Sequence, residues 1–295
     1  MPIPPAGALD RLEKRLEDLP LLPDVVHRLM SLRQDSYDYF DQVAQALHAD
    51  PAFATRLLQY ANSAALGSGR PITSIQEAML RVGARGAVDL VLAHSAARIF
   101  VPSNEWEKML WKHSIDVAWL MRKLSVLAVD HRGEPDEAYV FGLLHDIGRF
   151  VLYLEAPEEL RRVEETDWAT PEELIEAETR ICGFTHSELG YLALRKWRLP
   201  DALAEAVRWH HTRPLPLDGI DGRYRALNAL LQEVDWIAVG AERAAGGDAA
   251  ARSEFRKALD GKLQLRLRGT LDDLEFTIQE ALRESRRMLT ALHLQ

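Results

Sequence analysis

Apolar residues recur every three or four positions along nearly the whole chain, and the two-residue alternation of a strand is almost absent. Val25, Val26, Leu29, Met30 and Leu32 make one apolar face, and Phe40, Val43, Ala44 and Leu47 make the next. Asp50-Pro51 opens a helix carrying Phe53, Leu57, Leu58 and Ala61, since proline suits the first helical turn. A loop is expected over 67–71. Ser74-Ile-Gln-Glu77 reads as a capping box, and Thr170-Pro-Glu-Glu173 and Thr185-His-Ser-Glu188 repeat it. Gly83 is expected to end the Ser74 helix, with Val88, Leu90, Val91, Leu92 and Ile99 on the following one.

A break falls at Pro102-Ser103, and a long helix free of Pro and Gly runs from about Glu105 to Val129. Loop signals occupy Asp130 to Pro135. The apolar stretch from Ala138 to Leu154 holds one polar doublet, His145-Asp146, which reads as part of a helix interior. The segment from Arg161 to Ala169 is polar and expected to be exposed. Helices follow at about 171–181, 186–197, 200–211 and 223–244, with Gly246-Gly247-Asp248 as a linker. The last 45 residues predict amphipathic helices burying Leu271, Leu274, Phe276, Ile278, Leu282, Met288, Leu289 and Leu292. The expected fold is all-α, divided into an extension at 1–18, one lobe at 19–101, a second at 104–245, and C-terminal helices at 248–295.

Composition narrows the partners more than the fold. The 295 residues suffice for two moderate helical lobes, and the net charge of −9 argues against a nucleic-acid-binding surface. The single cysteine, Cys182, permits no internal disulfide and fits a reducing cytoplasm; it reads as a buried small hydrophobe. Met1 to Asp10 lacks a basic-then-apolar leader pattern, so a cytoplasmic location is expected. The longest apolar run, Ala87 to Val101, is interrupted by Asp89, His94 and Arg98, too polar to span a membrane.

Chemistry concentrates in one ordered series: His113, His145-Asp146, His186, His210-His211 and Asp235. Imidazoles with carboxylates suit divalent ions such as Fe, Mn, Mg or Zn, one or two of them. Each member has a plainer explanation. His145-Asp146 could be a buried pair pinning helices, His186 a helix-start residue, and His210-His211 a pair answering helix carbonyls. Apolar flanks around the doublet, glycines at 142 and 148 permitting close helix approach, and the order of the series favour a shared pocket. His27, His48, His94, His131 and His293 are assigned to surfaces or caps. Gly-rich phosphate loops, serine nucleophile elbows and Cys-x-x-Cys pairs are all missing.

The doublet in Gly142-Leu-Leu-His-Asp-Ile-Gly148 resembles the motif of the HD superfamily of metal-dependent phosphohydrolases. Over about residues 19–245 the chain resembles its bacterial signalling branch, the HDOD family. The resemblance rests on Leu19-Pro-Leu-Leu-Pro-Asp-Val-Val26, Asp50-Pro-Ala-Phe-Ala-Thr-Arg-Leu-Leu-Gln-Tyr-Ala-Asn-Ser63, Ile72-Thr-Ser-Ile-Gln-Glu-Ala78, Val82-Gly83, Trp111-Lys-His-Ser114, the His186 helix and Trp209-His-His211. It implies a two-lobed helical fold with an HD-type bundle as the second lobe. It also implies a regulatory role exercised largely through contacts with other signalling proteins. No alternating strand–helix pattern precedes residue 19, so no receiver domain is expected there.

The order of the series is similar to the metal-ligand order of cyclic-di-GMP phosphodiesterases, and the resemblance implies a ligand role for His113, His145, Asp146, His186, His210, His211 and Asp235. Three departures argue against that substrate. Arg149 stands where those enzymes have Lys, Thr212-Arg-Pro-Leu-Pro216 replaces their Gly-Tyr-Pro motif, and Met109 occupies the place of an acidic ligand. The expectation is a regulatory protein with a metal-capable pocket. The alternative is a phosphohydrolase of a nucleotide or cyclic dinucleotide, with Asp146 on the metal and Arg149 steadying phosphate charge. Partner contacts are expected at Asn62, Ser63 and Arg70, beside the glycine-rich loop, although Asn62 or Ser63 could equally cap the helix.

Overall fold

The computed structural model describes residues 16–17, 19–62, 71–129, 135–166, 168, 170–212, 222–263 and 266–294, the Arg223 side chain excepted. These residues are overwhelmingly helical. In order, the helices are α1 (Asp24–Met30), α2 (Tyr39–His48), α3 (Pro51–Asn62), α4 (Ile75–Ile99), α5 (Glu105–Leu127), α6 (Pro135–Leu144) and α7 (Ile147–Glu155). They continue as α8 (Pro157–Glu164), α9 (Pro171–Cys182), α10 (His186–Lys196), α11 (Asp201–Arg208), α12 (Gly222–Gly246), α13 (Ala249–Lys262) and α14 (Leu271–Leu292). Among the described residues the only extended pairing is an isolated antiparallel bridge between Ala128 and Leu267.

Contacts group the chain into two compact units, one of residues 22–115 with 283–295, the other of 1–21 with 116–282. The division falls inside α5 and inside α14, so each of these helices runs through both units. The sequence break at Pro102-Ser103 therefore does not coincide with it.

In the first unit α4 packs on α3 and α2, burying Leu47, Phe53, Leu57, Met79 and Leu90. Ser74 caps α4 by accepting from the Glu77 N–H. Gly83, with φ +78° and ψ 156°, is non-helical and ends the run that starts at Ser74, as expected; a second helical run follows to Ile99, and α4 denotes the two together. Only glycine takes that conformation without strain. Asn62 has a firm structural duty: its Nδ2 donates to the Leu58 and Ile72 carbonyls at 2.9 and 2.8 Å, and its Oδ1 accepts from the Ile72 N–H at 2.8 Å. Asn62 thus ties the end of α3 to Ile72, a duty of the capping kind that the sequence allowed for it beside the contact reading. Ser63 and Arg70 lie outside the described residues.

In the second unit α10 packs on α7 and α11, and α7 also meets α8. Thr170 and Thr185 form complete capping boxes with Glu173 and Glu188. Trp197, buried, donates its indole N–H to the Pro20 carbonyl at 2.8 Å, tying in the chain near Leu16. The polar stretch begins within a helix, since α8 extends through Arg161 to Glu164 with Leu160 and Val163 buried. Cys182 is half-buried beside a small cluster of Val163, Leu174 and Ala177. Phe276, expected in the core, is 62% exposed, whereas Leu274, Ile278, Met288, Leu289 and Leu292 are buried as expected.

Candidate metal centre

The His145-Asp146 doublet is the junction of two helices. It does not lie inside one helix, as the unbroken apolar pattern had suggested. α6 ends at Leu144, and α7 starts at Ile147 with Asp146 at its cap position. The turn aims both side chains inward, leaving His145 and Asp146 buried. Two glycines make room. A Cβ at Gly142 would sit 2.9 Å from the Ala118 Cα of α5. One at Gly148 would overlap the His186 carbonyl and lie 2.7 Å from the Gly190 nitrogen of α10. Close passage of α7 over the start of α10 is what brings Asp146 to His186.

Asp146 Oδ1 lies 3.3 Å from His186 Nε2 and 3.5 Å from His210 Nε2. His186 Nε2 is 3.3 Å from His210 Nε2 and 3.1 Å from His211 Nε2. Four ligand-type atoms from Asp146, His186, His210 and His211 thus lie within 4.8 Å of one another. Tetrahedral donors on one ion with bonds of about 2.1 Å are separated by about 3.4 Å, so this set fits a single cation. A second group, His113, His145 and Asp235, also has its donors within 4.8 Å. The two groups adjoin at the doublet, because Asp146 Oδ2 is 3.6 Å from His145 Nε2.

Hydrogen bonds on the far side of the rings orient them. Nδ1 of His145 lies 2.7 Å from the Gly142 carbonyl, and Nδ1 of His210 lies 2.6 Å from the Val207 carbonyl. A carbonyl only accepts, so Nδ1 carries the proton in both rings and Nε2 faces the centre. His186 Nδ1 meets a carboxylate instead, both oxygens of Glu178 standing 2.8 Å away. Glu178 is fully buried and also accepts from the His186 backbone N–H. The sequence reading missed Glu178, because a glutamate in an amphipathic helix looks like a solvated one. Arg149 was expected to face phosphate. It donates to Glu164 at 2.5 Å and stands 3.6 Å from Asp146 Oδ2.

Electrostatics follow this arrangement. Burial alone would raise the Asp146 carboxyl, yet the imidazoles of His145, His186 and His210 hold it well below the usual carboxylate range. Burial disfavours the His186 imidazolium, but Glu178 and Asp146 outweigh it and lift the ring to about 9. Burial, with His210 and His186 close by, pushes His211 well below its ordinary value. Burial raises Glu164, an effect opposed by Arg149. A pocket of about 260 Å³ opens at the centre, its lining including His145, His210, His211, Asp235, Glu172, Gln232 and Trp236. None of its described lining residues is Lys or Arg. Gln232 donates to the His210 and Thr212 carbonyls at 3.1 and 3.3 Å, anchoring the histidine turn to α12. Residues 213–216, which replace the expected Gly-Tyr-Pro motif, lie outside the described residues.

His94 corrects another assignment. It is buried at 7% exposure, not superficial, with its ring edge-on to Phe53 at 5.6 Å. Burial, then Arg56 and Arg98, lower it to about 4.

Comparison with known proteins bears on the fold and the family. A chain of Shewanella amazonensis SB2B described as a candidate phosphohydrolase superposes with TM-score 0.69 at 21% identity, covering 97% of this chain and 98% of that one. A candidate signal transduction protein of Marinobacter aquaeolei VT8 gives TM-score 0.70 at 18% identity, covering 98% of this chain and 66% of that one. At such identities the likeness is one of fold. An uncharacterised protein of Treponema pallidum (strain Nichols) is 27% identical over 202 residues, which are 68% of this chain and 39% of that protein's length. No described helix is long and apolar enough to cross a membrane. The HDOD domain family matches residues 19–213, about two thirds of the sequence, and the chain belongs to that family.

Proposed function

We propose that this protein is a regulatory HDOD protein that holds a two-ion His/Asp centre and whose output passes through contacts with other signalling proteins. Asp146 bridges the two groups, offering Oδ1 to the His186–His210 side and Oδ2 to His145. Five imidazoles against two carboxylates favour Fe, Zn or Mn over Mg, which prefers oxygen. When bound, such ions would polarise a phosphoryl oxygen and acidify a water. The chain's own residues orient the imidazoles and exclude solvent from behind them.

One observation carries the regulatory reading over the enzymatic one. The pocket offers a phosphoester no Lys or Arg among its described lining, and Arg149 is already engaged by Asp146 and Glu164. Phosphoryl transfer draws its rate largely from cations placed around the developing charge. A fold neighbour described as a candidate signal transduction protein supports the same reading.

A specific feature keeps hydrolysis of a nucleotide or cyclic dinucleotide as the second reading. The group of His113, His145 and Asp235 has three donors, and two of them line the open pocket, as in sites that keep a coordination position for water or substrate. The test is metal analysis of protein purified without chelator, followed by a turnover screen with phosphomonoesters, nucleotides and cyclic dinucleotides. One or two equivalents of metal with no turnover are expected. Sustained metal-dependent turnover of any of these would establish the second reading instead.

A further inference from the structure

Among the described residues Glu178 is the most deeply buried carboxylate of the second unit, at 0% exposure, and it accepts two hydrogen bonds from one residue. The His186 backbone N–H reaches its Oε2 at 2.8 Å, and His186 Nδ1 lies 2.8 Å from both oxygens. The other two well-braced imidazoles, His145 and His210, lean on neutral carbonyls within their own turns. His186 alone among them is braced by a charge, and from another helix, since Glu178 is on α9 and His186 opens α10. His186 Nε2 is also the hub of its group, within 3.3 Å of Asp146, His210 and His211.

We propose that Glu178 is the positioning residue that makes His186 a metal ligand: it holds the proton on Nδ1, leaves Nε2 for the cation, and so sets the affinity of the Asp146–His186–His210–His211 group. This rests on the metal-centre reading above. The argument is one of donor and acceptor count. An ionised carboxylate only accepts, so it satisfies both the backbone N–H and Nδ1–H. Glutamine has nearly the same shape but one accepting and one donating end. Its oxygen would take the backbone N–H of the helix start, and its NH2 would then donate to Nδ1. His186 would carry its proton on Nε2, pointing at Asp146 and blocking coordination. Glu178→Gln is therefore expected to weaken this group more than its small steric change suggests. Carboxylate partners of ligating imidazoles typically contribute about 10–100-fold in metal affinity.

The experiment titrates Zn2+ into chelator-stripped full chain by calorimetry, for the wild type and Glu178→Gln. Folding of each is checked by circular dichroism. One high-affinity event is expected to weaken at least about tenfold in folded Glu178→Gln, while uptake by the His113–His145–Asp235 group persists. Unchanged affinity in a folded variant overturns the proposal and leaves the metal-centre reading intact. A wild type that takes up no Zn2+ overturns the metal-centre reading itself. The nitrogen-15 imidazole spectrum of Zn2+-loaded wild type decides the matter even if the variant does not fold. His186 should show a protonated Nδ1 and a metal-bound Nε2, and the reverse assignment overturns the proposal.

Discussion

Two buried histidines, one in each compact unit, have been driven in opposite directions by their neighbours. His186 is raised to about 9 because Glu178 and Asp146 outweigh burial. His94 is lowered to about 4 because burial is reinforced by Arg56 and Arg98 and only partly opposed by Asp50. Burial alone would push both rings toward neutrality. The difference lies in the partners: carboxylates gathered from α7 and α9 in one case, arginines on α3 and α4 with a phenylalanine edge in the other. A buried imidazole is a candidate ligand where acceptors converge on it, and a core residue where cations and rings surround it.

The harshest way to break this contrast is to separate the helices that create it. Gly148→Ala places a Cβ against the His186 carbonyl and the Gly190 nitrogen, both of them backbone, which cannot swing away. α7 and α10 must part, so the chain should fail to fold or lose about 4 kcal/mol or more by urea denaturation. Wild-type stability in this variant would show that the close passage is not what assembles the centre.

Asp146→Ala should come next. It removes the carboxylate shared by both groups and leaves the Nε2 atoms of His145, His186 and His210 without the anion that lies between them. A cost of about 3–5 kcal/mol is expected, as for breaking a buried ion pair from one side, together with loss of metal measured by elemental analysis. Retention of two equivalents of metal would rule out Asp146 as the bridge.

Much of this arrangement was legible before the structure, and its gaps have physical causes. Helices announced themselves through periodicity and capping, and Thr170-Glu173 and Thr185-Glu188 close as written. The order of histidines and aspartates also pointed to one pocket, since polar residues flanked by apolar ones need partners. The break between α6 and α7 was not legible, because Tyr139 to Leu144 and, apart from Arg149, Ile147 to Leu152 are apolar, and neither Pro nor Gly falls at 145–146. Glu178 was hidden because its burial depends on α10 arriving over α9, a long-range fact. His94 was hidden for the same reason, its partners lying about 40 residues earlier on α3. Asn62 left a capping role and a contact role both open, because its partner, Ile72, is ten residues further along the chain.

Acidity offers a gentler probe that separates the two units. In metal-free protein the raised His186 contributes stability that is fully present below its unfolded value of 6.5 and is lost as pH rises through about 9. The lowered His94 behaves oppositely: its neutral form is favoured, so stability is full above 6.5 and is lost as pH falls through about 4. Each limb should be worth on the order of 2 kcal/mol, and thermal melts across pH 4 to 10 should fall away on both sides. Saturating Zn2+ should flatten the alkaline limb by occupying Nε2, and His94→Phe should flatten the acidic limb alone. If His94→Phe changed the alkaline limb instead, the assignment of limbs to units would be reversed.

The smallest expected effect is a gain, and it tests whether tight glycine packing is confined to the centre. Gly86 lies in α4 of the first unit, where a Cβ would meet only Val82 Cβ and Cγ2, at 3.7 and 3.9 Å. Those are ordinary contacts, and α4 past its Gly83 kink is regular helix at this point. Glycine in a helix costs about 0.5–1 kcal/mol relative to alanine, because its unfolded chain has more freedom to lose. Gly86→Ala should therefore stabilise the protein by about that amount, read as a rise in urea midpoint with unchanged slope, and should leave metal content untouched. The same substitution thus has opposite signs at Gly86 and Gly148. A loss of stability at Gly86 would mean that α4 is held against a neighbour as closely as α7 is against α10.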